Sequence, residues 1–145
     1  MYPLLQTANR YHTHSLSFYS RIITQCLSFT SLQILHGKLI KLGFNKSTFL
    51  GNCCLHLYSK FGAKVDASKV FDEIPIKNVV SWNLYLKLIF KSGDVDSARQ
   101  LFDKMSEKDV VTWNSMISGY ASYGLFENAL GVFLKMQKYG IRPTG

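Results

Sequence analysis

Cysteine is scarce in these 145 residues: Cys26, Cys53 and Cys54 are the whole complement, neither an even set nor a CxxC pair. That excludes a disulfide scaffold and a four-ligand zinc module, and it fits a reducing compartment. No apolar run approaches the roughly 18 residues of a membrane span, so no membrane-spanning segment is expected. Acid is missing from the whole of residues 1–65, which hold seven basic residues, and the first carboxylate is Asp66. From Asp66 onward ten basic residues meet nine acids, so seven of the eight net positive charges fall in the first 65 residues. A field of that kind attracts polyanions such as nucleic acid or an anionic surface. Also missing is any catalytic constellation. There is no Ser/His/Asp set in a recognisable context, no Gly-rich phosphate loop and no HxE with CxxC for a deaminase. The expectation is a binding module, not an enzyme, with no cofactor and no metal.

Apolar residues make up 47% and aromatics 14%, enough to bury a core in one compact domain or a short repeat array. Residues 1–16 have one Arg, several hydroxyl side chains and no acid. That is the composition of an organellar targeting segment, for mitochondrion or chloroplast with a lean to the mitochondrion. His12 and His14 form an HxH pair with no Cys, Asp or Glu beside it, a poor metal site.

From Thr48 onward a 31-residue period organises the chain. Asn52, Asn83 and Asn114 stand 31 apart, as do Gly62, Gly93 and Gly124, Ala67, Ala98 and Ala129, and Phe71, Phe102 and Phe133. Residues 79–109 and 110–140 are identical at nine of 31 positions. Each unit reads as two helices. Ser81–Lys91 is dense in apolar residues, Gly93 follows as a left-handed stop, and Asp94 is placed to cap a second helix carrying Ala98, Leu101, Phe102 and Met105 on one face. A small Ala at a fixed place predicts a close helix crossing. Lys64 falls where Val95 and Phe126 stand in the other units, which predicts a late start or poorer packing for that second helix. Neither helix of a pair can bury its apolar surface alone, whereas stacked pairs can. The predicted fold is therefore all-α, an α-solenoid of antiparallel helix-turn-helix repeats, three to four units of 31–35 residues.

Val79-Val80-Ser81-Trp82-Asn83 and Val110-Val111-Thr112-Trp113-Asn114 head two units, and Phe71–Pro75, Phe102–Met105 and Phe133–Met136 close three. With Gly140-Ile141-Arg142-Pro143, these strings resemble the pentatricopeptide repeat (PPR) proteins of plant organelles, in the subclass that mixes repeat lengths. On that resemblance residues 17–47 are a degenerate long-type repeat, 48–78 and 79–109 are short-type repeats, and 110–144 is a 35-residue repeat. The chain stops at Gly145 just after a unit ends, as expected of an N-terminal fragment of a longer factor or of a truncated product.

The resemblance implies a function. In such proteins the fifth residue of a unit and its last one read one base of single-stranded RNA. Here the fifth residues are Asn52, Asn83 and Asn114, and the last are Asn78, Asp109 and Thr144. Asn with Asn implies cytosine, Asn with Asp uracil, and Asn with Thr either pyrimidine. The second residues, Phe49, Val80 and Val111, resemble the apolar groups that sandwich bases. In the opening unit Arg21 and Ser47 occupy the reading places, a pair outside this code. Trp82 and Trp113 are expected to pack between helices, and Lys60, Lys91 and Lys104 to face solvent at helix ends, some along the phosphate path. A fifth-position Asn also has a plain structural reading, as a buried or capping side chain. The functional expectation is a pyrimidine-leaning RNA-binding module of an organellar RNA-processing or C-to-U editing factor, working with editing-complex protein partners. The alternatives are a helical-repeat protein adaptor and a non-functional remnant.

Overall fold

The computed structural model describes Arg21 and residues 28–142, so the targeting segment, His12, His14, Cys26 and Thr144 lie outside the described residues. Among the described residues there are seven α-helices and no strand. They are α1 (Phe29–Lys41), α2 (Thr48–Lys60), α3 (Lys64–Glu73), α4 (Val79–Lys91), α5 (Val95–Lys104), α6 (Val110–Ser122) and α7 (Phe126–Lys138), with a 3-10 turn at Phe44–Lys46. The sequence period is the structural period: α2, α4 and α6 start 31 residues apart, and so do α3, α5 and α7.

The turns inside each pair follow one recipe. Gly62, Gly93 and Gly124 have φ of 74°, 87° and 73°, the left-handed conformation that glycine adopts without a Cβ penalty. That turn lets the next amide reach back five residues: Ala63 N–H to the Tyr58 carbonyl, Asp94 to Ile89 and Leu125 to Tyr120. Asp94 caps α5, its carboxylate accepting from Ser97 N–H at 3.0 Å. The second helix beginning at Lys64 does not start late, because Lys64, Val95 and Phe126 all occupy the first helical place. The place is half-buried in the middle pair, where Val95 packs against the core cluster, and open in the last, where Phe126 is 69% exposed. What α3 lacks is a cap: Ala63 precedes it and offers no side-chain acceptor.

The chain divides into two compact units, Met1–Ser81 and Trp82–Gly145, with the division inside α4. In the first, Leu32, Leu35 and Leu39 of α1 bury one helical face, α2 adds Leu50, Cys54, Leu55 and Tyr58, and α3 adds Ala67, Val70 and Phe71. Each fully buried large apolar side chain contributes about 1.5–3 kcal/mol. Gly51 permits a close approach, since a Cβ there would stand 2.7 Å from Cγ1 of Ile74. Phe29 packs edge-on against Tyr58 and Phe61, and Nδ1 of His36 lies 3.1 Å from the Tyr58 hydroxyl.

In the second unit one cluster runs through all four helical segments: Leu86, Ile89 and Phe90; Ala98 and Phe102; Trp113, Met116 and Tyr120; Ala129 and Met136. Ala98 and Ala129 are buried, as the close-crossing argument requires. Gly119 is the tightest point, where a Cβ would fall 2.7 Å from the Phe90 ring. The Tyr123 hydroxyl ties α6 to α4 by donating to the Phe90 carbonyl. Trp113 sits edge-on to Phe102 with centroids 5.0 Å apart and tilted to Tyr139 at 5.8 Å, an interhelical packing residue and not an open stacking platform.

Candidate nucleic-acid interface

The places singled out by the period lie on the first helix of each pair and on the residue just before the next pair. Asn52 on α2 and Asn83 on α4 are 8% and 5% exposed, so their amides must find partners inside the protein. Asn78 precedes α4, and Asp109 precedes α6 as its N-cap. Both are exposed.

In the first unit Nδ2 of Asn52 donates to Oδ1 of Asn78 at 3.1 Å. That same oxygen accepts the Ser81 backbone N–H at 3.0 Å, closing the N-terminus of α4. The Ser81 hydroxyl accepts from Asn78 N–H at 3.2 Å and reaches Oδ1 of Asn52 at 2.6 Å. In the second unit the bonds recur one period later. Asn83 Nδ2 donates to Asp109 Oδ1 at 3.0 Å, and Thr112 N–H donates to the same oxygen at 3.0 Å. Asp109 N–H donates to the Thr112 hydroxyl at 3.1 Å, and that hydroxyl lies 2.6 Å from Asn83 Oδ1. Asp109 and Thr112 thus form a reciprocal capping box. The cap geometry commits Oδ1 of Asn78 and of Asp109 inward. Outside each network remain the amide group Nδ2 of Asn78 and the carboxylate oxygen Oδ2 of Asp109, a donor in one place and an acceptor in the other.

Burial pushes the Asp109 carboxyl up, but the hydrogen bonds from the Asn83 side chain, from the amide and hydroxyl of Thr112 and from its own backbone outweigh it. Its pKa therefore lies below the ordinary 3.8, and at neutral pH the group is a carboxylate.

The structure thus brings Asn52 to Asn78 and Asn83 to Asp109. Asn114 lies half-buried on α6, and the Thr144 paired with it is outside the described residues. Phe49, Val80 and Val111, each the second residue of its helix, are 48%, 49% and 45% exposed, large apolar groups left open at one repeated place. Arg21 is exposed, and Ser47 caps α2 by accepting from Leu50 N–H at 3.2 Å. Lys60 and Lys91 are exposed in the last turns of α2 and α4, and Lys104 at the end of α5. Cys53 is half-buried and Cys54 buried, and neither is joined in a disulfide. Among the described residues no group of three or more His, Cys, Asp or Glu is placed to hold a metal ion, and no helix is long and apolar enough to cross a membrane.

Two members of the networks were not singled out by the sequence reading: Ser81 and Thr112, both 0% exposed. The signal was present as a hydroxyl recurring after 31 residues, three places beyond an Asn or Asp, which is the spacing of a capping box.

Comparison with known proteins identifies the repeat and the fold. A family model described as the PPR repeat matches residues 80–110 and 111–141. A mitochondrial pentatricopeptide repeat-containing protein of Arabidopsis thaliana is 44% identical over 85 residues, 57% of this chain and 13% of that protein. A second from Arabidopsis thaliana is 31% identical over 133 residues, 92% of this chain and 17% of that protein. A chloroplastic one is 30% identical over 109 residues, 75% of this chain and 9% of that protein. The chain thus spans less than a fifth of the length of these relatives. Among solved structures, pentatricopeptide repeat protein PPR10 in complex with an 18-nt psaJ RNA element superposes with a TM-score of 0.80 at 20% identity, covering 97% of this chain and 22% of that one. This likeness establishes the fold as an α-solenoid of helical repeats. The repeat matched twice in sequence, the helix pairs that recur with it and the shared fold lead to one conclusion: the chain carries tandem pentatricopeptide repeats.

Proposed function

We propose that this chain is a sequence-preferring single-stranded RNA-binding module, in which the pairs Asn52–Asn78, Asn83–Asp109 and Asn114–Thr144 each face one base. The observation that carries the reading is the outward polarity of the two complete pairs. Cytosine presents an acceptor at N3 of its Watson–Crick edge and uracil presents a donor there. The outward amide of Asn78 suits the first, and the outward oxygen of Asp109 suits the second. With Asn114 and Thr144 the stretch read is cytosine, uracil, then a pyrimidine. Phe49, Val80 and Val111 offer apolar faces between which bases pack. The likeness to PPR10, solved with an RNA element bound, supports the same reading.

Three bases at about 1–3 kcal/mol each, before ordering costs, give micromolar to millimolar affinity. Selection of one transcript then requires a longer array or a partner. The relatives named as mitochondrial and chloroplastic support an organelle as the setting, and the mixed repeat lengths expected from the sequence support a role in an RNA-processing or C-to-U editing factor with protein partners of an editing complex. The test is fluorescence anisotropy of the whole chain with short pyrimidine-rich and purine-rich RNAs at two salt concentrations. A pyrimidine preference that falls in Asn83→Ala is the expected result. Equal, salt-sensitive binding of both RNAs would reduce the reading to attraction by the net charge of +8.

A further inference from the structure

We infer that Ser81 and Thr112 are positioning residues for base recognition: the hydroxyl of each repeat sets the amide orientation of the reading asparagine in the repeat before it. The inference rests on the base-reading proposal above, and it begins from proton counting. The Thr112 hydroxyl has one proton and two oxygens in range, Asn83 Oδ1 at 2.6 Å and Asp109 Oδ1 at 2.9 Å. Asp109 Oδ1 already accepts from Asn83 Nδ2 and from Thr112 N–H, which fills its two lone pairs in the network. The hydroxyl proton therefore goes to Asn83. The result is a closed ring with one direction: Asp109 N–H to the Thr112 hydroxyl, that hydroxyl to Asn83 Oδ1, and Asn83 Nδ2 back to Asp109 Oδ1.

Turning the Asn83 amide over breaks the ring twice. It sets Oδ1 against Oδ1 of a carboxylate about 3.0 Å away, and it leaves the Thr112 proton facing an amide donor. The same ring runs through Asn78 N–H, the Ser81 hydroxyl at 3.2 Å, Asn52 Oδ1 at 2.6 Å and Asn78 Oδ1 at 3.1 Å. The hydroxyls are 0% exposed, so no solvent proton substitutes for theirs. One period upstream the arrangement is absent as a set. Leu50 stands where Ser81 and Thr112 stand, and the fifth and last residues there are Arg21 and Ser47. The hydroxyl keeps company with the asparagine it orients.

The test compares the whole chain with its Thr112→Val, Thr112→Ser and Ser81→Ala variants, using RNAs that differ only at the nucleotide facing Asn83–Asp109 or the one facing Asn52–Asn78. Anisotropy gives the preference, and 15N NMR follows the side-chain NH2 of Asn83 and Asn52. Thr112→Val should lower the uracil-over-cytosine preference at its own nucleotide by roughly five- to tenfold, the worth of one hydrogen bond, and leave the neighbouring nucleotide unchanged. It should also move the Asn83 NH2 signal toward that of a free amide, and Thr112→Ser should restore both. Wild-type preference together with an unmoved Asn83 signal in Thr112→Val overturns the inference. If the wild-type chain shows no preference at either nucleotide, the base-reading proposal fails, whereas the NMR arm still decides the orienting role. Should Thr112→Val not fold, Ser81→Ala removes a single oxygen and puts the same question to Asn52.

Discussion

The junction in the first unit and the junction in the second are built from the same bonds and present opposite atoms to the outside. Asn52, Asn78 and Ser81 are all neutral, and Nδ2 of Asn78 is left over. Asn83, Asp109 and Thr112 carry a carboxylate, and Oδ2 of Asp109 is left over. The difference separates two jobs. Two buried side chains and a helix cap hold the geometry, while one exposed side chain supplies the sign of the hydrogen bond. On the proposed reading, a repeat built this way changes the base it prefers without repacking.

The largest effect is therefore expected from exchanging the exposed members. Asp109→Asn should convert the second junction into a copy of the first, because the amide oxygen takes over the cap and the NH2 turns outward. Asn78→Asp should do the reverse. Each exchange replaces one matched hydrogen bond by a mismatch, a swing of about 1–3 kcal/mol or roughly five- to hundredfold in the cytosine-to-uracil ratio at that nucleotide. Competition binding with single-nucleotide RNA variants reads it. If neither ratio moves, the exposed atoms do not face a base and the comparison loses its functional meaning.

A second, smaller expectation concerns stability. Removing either buried asparagine takes a donor from Oδ1 and leaves a hydroxyl proton to find another acceptor. In the second junction the oxygen that loses its donor belongs to a carboxylate, and hydrogen bonds to charged groups are worth about 1.5–3 kcal/mol against about 0.5–1.5 for neutral ones. Asn83→Ala should therefore lower stability more than Asn52→Ala, measured as the shift in urea midpoint at pH 7. Equal losses would mean that the Asp109 charge is already satisfied by the helix N-terminus and its own cap bonds.

The contrast between the junctions was half legible in the sequence. Period, helix pairs and glycine stops follow from residue type alone, because a left-handed stop and a 3.6-residue apolar face leave few alternatives. The Asn–Asn and Asn–Asp pairings came from the family resemblance, and the structure brings their side chains within hydrogen-bonding distance. The hydroxyls of Ser81 and Thr112 escaped because an N-cap partner three residues into a helix looks purely local. Only the fold brings Asn52, 29 residues earlier, to within 2.6 Å of Ser81. Lys64 misled for the converse reason. An apolar pair at Val95 and Phe126 implied one shared core position, yet only Val95 packs against the core cluster, while Phe126 is largely solvent-exposed.

The smallest expected effect is in the acid range and distinguishes the units by titration. The folded Asp109 pKa is lowered, since hydrogen bonds from Asn83 and Thr112 outweigh the effect of burial, so the unfolded chain binds the proton more readily. The contribution of Asp109 is complete above its ordinary value of 3.8 and is lost as pH falls through the folded value. The first junction has no titrating member. In the same unit, however, His36 is depressed by burial, which outweighs the opposing fields of Glu73 and Asp66. Its contribution is complete above 6.5 and declines as pH falls below it, because protonation then favours the unfolded chain. A pH series of urea midpoints should show a first decline that is absent in His36→Gln and a later one, below pH 4, that is weakened in Asp109→Asn. An Asp109→Asn chain that still exchanged base preference but kept the full low-pH decline would place the acid sensitivity elsewhere. It would leave the outward oxygen, and not the charge as such, as the property that distinguishes the second junction.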